Sequence, residues 1–137
     1  MHWAILDTGV YIGHWERGLY DAPLAEVRKA FVVRHSAVVL SELRRGARGS
    51  ASRKRVDDLF HLATIVWAPD TTDWWEAGKL VRDVGDRAKW EIAKRREFQN
   101  DALIALTARR HGASIVTTNH ADFSLLERRL NLEVVYL

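Results

Sequence analysis

The chain has no cysteine, only two prolines and a single methionine among its 137 residues. Without thiols, disulfides and thiolate metal sites are excluded. Any metal must be held by carboxylates, imidazoles or carbonyls, a donor set that favours Mg²⁺ or Mn²⁺ over structural Zn²⁺. The six histidines show no metal-ligand spacing. No apolar run is long enough to span a bilayer, and Trp3 to Leu6 is too short for a signal-peptide core, so the expectation is a cytoplasmic protein without a membrane partner. Repeats, low-complexity tracts and linkers are also lacking.

What is present fits one globular domain over residues 1–137. The hydrophobic fraction is 47% and six tryptophans occur. A chain of this length buries roughly two-thirds of its unfolded surface. The net charge of +3 is a mild hint of a polyanionic partner.

The most informative stretch runs from Gln99 to Phe123. Asn100 or Asp101 is expected to open a helix through Ala102, Ile104, Ala105, Leu106 and Ala108, and Gly112 to end it in a left-handed conformation. Ala113 to Thr117 is apolar and β-branched and reads as a buried parallel strand. Asp122 then caps a helix carrying Phe123, Leu125, Leu126 and Leu130. Earlier, Trp3 to Leu6 reads as a central strand that delivers Asp7 at its carboxyl end. Asp21-Ala22-Pro23 starts a helix. Ala37 to Leu40 reads as a second strand followed by Ser41-Glu42. Ser52 caps a helix with Val56, Leu59 and Phe60 on one face. Thr64 to Trp67 reads as a third strand. Thr71 or Thr72 caps a helix that buries Trp75, Leu80, Val81 and Val84 and ends at Gly85. The charge-rich stretch from Asp86 to Phe98 fits no clear pattern, though a helix is compatible with it. Glu133 to Tyr136 closes the chain as an edge strand. Alternating strands and helices imply right-handed βαβ units, hence an α/β fold: a three-layer α/β/α sandwich on a mostly parallel, four- to five-stranded sheet.

In such a fold the carboxyl ends of the strands share one edge, where ligands collect. Asp7, Glu42, Asp101 and Asp122 would converge there. Taken singly, each reads as a helix cap or a first-turn acid. Taken together, four carboxylates at close range repel one another unless protons or a cation relieve the conflict. Hard oxygen donors suit Mg²⁺, which binds through few carboxylates and keeps its waters. Two such ions about 3.5–4 Å apart activate a water and stabilise the leaving oxygen of a phosphodiester.

Four segments in order carry a resemblance: Ile5-Leu6-Asp7-Thr8-Gly9, Ser41-Glu42-Leu43, Asn100-Asp101-Ala102-Leu103-Ile104-Ala105, and Thr117-Thr118-Asn119-His120-Ala121-Asp122-Phe123. Together they resemble PIN-domain nucleases, most closely the VapC-type toxins of type II toxin–antitoxin pairs. The resemblance implies a PIN-like fold and an Mg²⁺- or Mn²⁺-dependent endoribonuclease that hydrolyses RNA by a metal-activated water. It further implies a homodimer neutralised by a cognate antitoxin whose C-terminal segment covers the acidic groove. By the same carry-over, Asp7, Glu42, Asp101 and Asp122 are the catalytic and metal-binding acids, and Thr8, Ser41 and Asn119 are auxiliary. Either Asp122 or Asn119 fills the fourth position.

Basic clusters flank two of these acids. Arg44, Arg45, Arg48, Arg53, Lys54 and Arg55 follow Glu42, and Arg87, Lys89, Lys94, Arg95 and Arg96 precede Asp101. Charge runs are usually solvated faces, yet this placement also suits RNA, with Arg44, Arg45, Arg95 and Arg96 as contacts, or an acidic antitoxin tail. Trp75 is expected in the core and Trp74 on a partner surface. A haloacid-dehalogenase-type phosphatase wants a second Asp two residues after the first, where Gly9 stands. A receiver domain wants a Lys near the end of a late strand. The remaining alternative is a PIN-like module that binds RNA or a partner without cleaving.

Overall fold

The computed structural model describes residues 2–137; Met1, the first residue of the expected domain, lies outside them. Five parallel strands form one sheet: β1 (Trp3–Leu6), β2 (Val32–Ser36), β3 (Val66–Trp67), β4 (Ser114–Thr117) and β5 (Val134–Tyr136). Their order is β3-β2-β1-β4-β5. The helices are α1 (Thr8–Arg17), α2 (Asp21–Ala30), α3 (Ala37–Gly46), α4 (Gly49–Leu62), α5 (Thr71–Ala88), α6 (Ile92–Arg110) and α7 (His120–Leu130). The three-layer α/β/α sandwich and its parallel sheet are as the sequence predicts. No helix among the described residues is long and apolar enough to cross a membrane.

The central strands are buried on both faces, so their apolar residues run continuously rather than alternating. Ala4, Ile5 and Leu6 of β1 lie beside Ser114, Ile115 and Val116 of β4. From β1 the chain steps outward to β2 and β3, then crosses back to β4 on the other side of β1. The strand order therefore reverses between β1 and β4. Right-handed crossovers put the flanking helices on opposite faces on either side of that point and leave a crevice at the carboxyl ends. Asp7 stands there, its backbone N–H donating to the Val116 carbonyl at 2.9 Å.

Several boundaries differ from those read in the sequence, each for a local reason. Ala37 to Leu40 is not a strand but the first turn of α3. The strand is Val32–Ser36, and the Ser36 hydroxyl caps α3 by accepting from the N–H groups of Val38 and Val39. The strand expected from Thr64 shrinks to two residues, β3. Arg48, not Ser52, stands at the N-cap of α4. α5 is capped not by Thr71 or Thr72 but by Asp70, whose reciprocal bonds with Asp73 make a capping box. It also runs past Gly85, which is buried because the Arg95 guanidinium lies where a Cβ would meet it at 2.9 Å. Lys89 ends the helix in a left-handed conformation.

The largest difference concerns α6. Its helix starts at Ile92, so Asp101 sits in mid-helix rather than at an N-terminus, and the charge-rich stretch after Trp90 is its solvent-facing first half. Trp75 is 83% exposed and Trp74 52%, because Ala77 and Val84 supply the buried face of α5. Gly112 adopts the expected left-handed conformation, with φ +66°.

Candidate active site

Four parts of the chain, the start of α1 and the helices α3, α6 and α7, deliver one acid each to the β1/β4 crevice. Asp7 is the N-cap of α1 and only 6% exposed. Its Oδ1 accepts from the Thr8 N–H at 2.9 Å and its Oδ2 from the Thr117 hydroxyl at 2.8 Å. Glu42 reaches in from the second turn of α3. Its Oε1 accepts from the Thr8 hydroxyl at 2.9 Å, and its Oε2 lies 3.5 Å from Asn100 Nδ2. Asp101 projects from α6 one residue beyond Asn100. Asp122 lies in the first turn of α7, 4% exposed, while Asn119 rather than Asp122 is the N-cap. The Asn119 Oδ1 accepts from the Asp122 N–H at 3.2 Å, and Nδ2 reaches Asp122 Oδ2 at 3.2 Å and Asp101 Oδ2 at 3.4 Å.

The electrostatics show how close this convergence is. Burial pushes the Asp101 carboxyl up to about 9, reinforced by the charges of Asp7, Asp122 and Glu42. A carboxylate in mid-helix also receives none of the stabilisation that a helix N-terminus offers. Asp101 thus holds a proton at neutral pH and donates it towards Asp122. Burial likewise raises Asp7, partly opposed by the Thr117 hydroxyl and the Thr8 N–H. Asp122 shifts the other way. Its burial raises it, but hydrogen bonds from Lys94, Asn119 and Asp101 outweigh that and hold it below its ordinary value.

In chemistry the donor set fits a divalent cation of the Mg²⁺ class: hard oxygens, mutually repelling, relieved in the metal-free protein by a proton on Asp101, by Lys94 and by the neighbouring hydrogen-bond donors. Asp7, Glu42 and Asp101 are the residues that would hold it, with Asn119 and Asp122 alongside. The cage is not preformed. Among the described residues no three acidic or histidine side chains are grouped as a ready ligand set. The carboxylates are instead held in pairs by shared protein partners, Thr8 and Asn119. Mg²⁺ needs only one or two direct carboxylates, so the two observations are compatible.

Of the auxiliary residues, Thr8 bridges Asp7 and Glu42, and Asn119 bridges Asp101 and Asp122. Ser41 is not brought to the acids; it is exposed and lines a cleft with Arg44, Asp57 and His61 at α4. Arg44 and Arg45 are exposed on the last turn of α3, Arg45 4.0 Å from Glu42. Arg96 is exposed as well, whereas Arg95 is committed to the Trp90 carbonyl and Asp86, both at 2.9 Å. His120 is on the surface, its ring against Tyr136.

Three participants carried too little signal to be read from sequence. Thr117 ends a strand like any β-branched residue, Asn100 precedes an acid without a pattern of its own, and Lys94 is one of several bases in its cluster. Thr117 has a measurable part. Its hydroxyl donates to Asp7 and accepts from the Asn119 N–H at 3.0 Å. Thr117→Val keeps the shape but leaves the buried Asp7 oxygen and the part-buried Asn119 N–H unpaired. It is expected to cost about 1–3 kcal/mol in urea denaturation of the metal-free protein.

Residues 4–128 match the PIN domain family. A search of curated proteins returns no match. Among solved structures, the fold superposes on VapBC-1 from nontypeable Haemophilus influenzae with a TM-score of 0.71 at 22% identity, covering 98% of this chain and 97% of that one. VapBC2 from Rickettsia felis, bound to a DNA fragment from their promoter, gives 0.65 at 24% identity over 98% of both chains. VapBC-5 from Mycobacterium tuberculosis, a member of the VapBC family of toxin-antitoxin systems, gives 0.61 at 20% identity over 100% of both chains. Likeness at these identities is likeness of fold. The family match spans most of the sequence, and the chain belongs to the PIN-domain family.

Proposed function

We propose that the chain is a single-domain, metal-dependent endoribonuclease of the VapC type, the toxin of a cytoplasmic toxin–antitoxin pair. The observation that carries this reading is the convergence of Asp7, Glu42, Asp101 and Asp122 at one crevice, where burial and the neighbouring carboxylates push the Asp101 carboxyl up. Perturbed carboxyls in a crevice mark sites of chemistry more often than sites of mere binding. Membership of the PIN-domain family and the likeness to VapBC assemblies support it.

A divalent ion, when bound, supplies a more acidic water and positive charge for the scissile phosphate. The chain's own residues do the rest. Thr8 and Thr117 fix the two Asp7 oxygens, Thr8 and Asn100 orient Glu42, and Asn119 holds Asp101 and Asp122 at a set separation. Asp101, protonated without the ion, would have to be ionised to hold it. Arg44, Arg45 and Arg96 supply positive charge within reach of a polyanionic strand. Trp74 and Trp75, exposed on α5, and Phe60 and Leu62, exposed at the end of α4, offer apolar surface to an antitoxin or a second copy.

One observation favours the second reading, a PIN-like module that binds RNA or a partner without cutting: the acids form no ready ligand set among the described residues. The two separate in one assay. Purified, antitoxin-free protein is incubated with labelled single-stranded and structured RNAs in Mg²⁺, Mn²⁺ or EDTA, beside Asp7→Asn. Cleavage that needs metal and disappears in Asp7→Asn supports the nuclease; RNA bound but intact in every metal supports the module.

A further inference from the structure

Asp122 is the acid of the four with the closest cation. Lys94 Nζ donates to both of its oxygens, at 2.9 and 2.7 Å. Lys94 lies in the first turn of α6, seven residues before Asp101 and therefore on nearly the same helical face. Its ammonium also sits 5.1 Å from the centroid of the Trp90 ring, and Trp90 packs edge-on against the fully buried Phe98 at 4.9 Å. The side chain is thus steered by an aromatic wall towards one carboxylate, rather than waving from the surface. An ammonium shared between two carboxylate oxygens neutralises them much as a metal ion would, but it cannot leave the chain.

Resting on the nuclease reading, we propose that Lys94 is a resident cation that takes over Asp122, so that the site holds one divalent ion rather than two. Asp7, Glu42 and Asp101 are left as the acids of that single ion, and Asp122 becomes the oriented acceptor that ties α7 to α6. Hydrolases with paired metals divide the charge on the attacking and leaving oxygens between two ions. Here the fixed ammonium occupies the Asp122 side of that division. The competing account is an ordinary ion pair that merely pins α6 against α7. It predicts a loss of stability on removal of Lys94 and no change in the number of ions bound.

The test counts ions. Mn²⁺ is titrated into the purified full chain at neutral pH, with free Mn²⁺ read by its electron paramagnetic resonance signal. Wild type is compared with Lys94→Met, which keeps the stem over Trp90 and removes the charge, and with Lys94→Gln as a second variant. Circular dichroism and thermal melting of all three establish that the folded proteins are being compared. The expected result is one ion in wild type and two in both variants. Two ions in wild type, or one in every protein, overturns the assignment of Lys94 while leaving the nuclease reading in place. No Mn²⁺ bound by any of the three overturns the nuclease reading and this inference with it.

Discussion

Asp101→Asn is expected to make the metal-free protein more stable and, on the proposed nuclease function, to abolish cleavage. The folded chain keeps the Asp101 proton to about 9, against 3.8 for an ordinary aspartate. Between those values the folded state binds more protons than the unfolded one, so stability falls as pH rises. The contribution is fully present below about pH 4 and is lost progressively towards pH 9. Burial also raises Asp7, which acts in the same direction. Asp122, held low, acts oppositely, its contribution being lost as pH drops through the acid range. Asn at 101 has no proton to lose, so the decline should flatten. At pH 8 the gain is expected to be about 1–2 kcal/mol, or roughly 3–8 °C in melting temperature for a domain of this size. Metal-dependent cleavage of RNA should fall on the order of 1000-fold, the rate equivalent of several kcal/mol of lost charge stabilisation. A variant that melts higher and cuts no RNA is what an acid retained for chemistry at the expense of stability should give. Thermal melts from pH 5 to 9 in EDTA, beside a cleavage assay, check both halves.

The second large effect is structural. Phe98 is fully buried, packs on Trp90, and lies between Lys94 and Asp101 on α6. Phe98→Ala leaves a cavity under the helix that carries Lys94, Asn100 and Asp101, and is expected to cost about 3–5 kcal/mol in urea denaturation. Trp75→Ala, at a side chain larger than Phe98 but exposed, is expected to change stability by less than about 0.5 kcal/mol. The contrast matters because sequence alone ranks them the other way. Trp75 is a large aromatic among apolar helix residues and looks like core, although nine residues from Val84 put it on the opposite face, whereas Phe98 sits in a charge-rich stretch that looks like surface.

That inversion shows where the sequence was legible. Strands buried on both faces announce themselves: Trp3 to Leu6 and Ala113 to Thr117 are short apolar runs bounded by polar turns, and both sit close to where they were expected. Asp7 follows its strand as expected, whereas Asp101 was expected at a helix start and stands in the middle of α6. Helix starts were harder. Ala37 to Leu40 has a strand's composition, but Ser36 supplies a cap that the β-branched run conceals, and tertiary context outweighs β propensity. The start of α6 was hidden because its first half faces solvent while the residues from Ala102 to Ala108 are buried throughout. A helix of two such halves has no single amphipathic stripe to follow. The supporting network of Thr117, Asn100 and Lys94 was illegible for another reason: hydrogen-bond partners 28 to 110 residues apart leave no mark on local pattern.

Whether the acids hold a divalent ion through Asp101 decides the proposed function most directly. Calorimetric titration of Mn²⁺ into wild type and Asp101→Asn, repeated in buffers of different ionisation enthalpy, measures that binding and the protons it releases. Wild type should bind, release close to one proton per ion at pH 7, and bind more tightly as pH rises towards 9; Asp101→Asn should bind at least tenfold more weakly and release no proton. Equal binding by the two proteins, with no proton released, would contradict the account and return the acids to capping and packing.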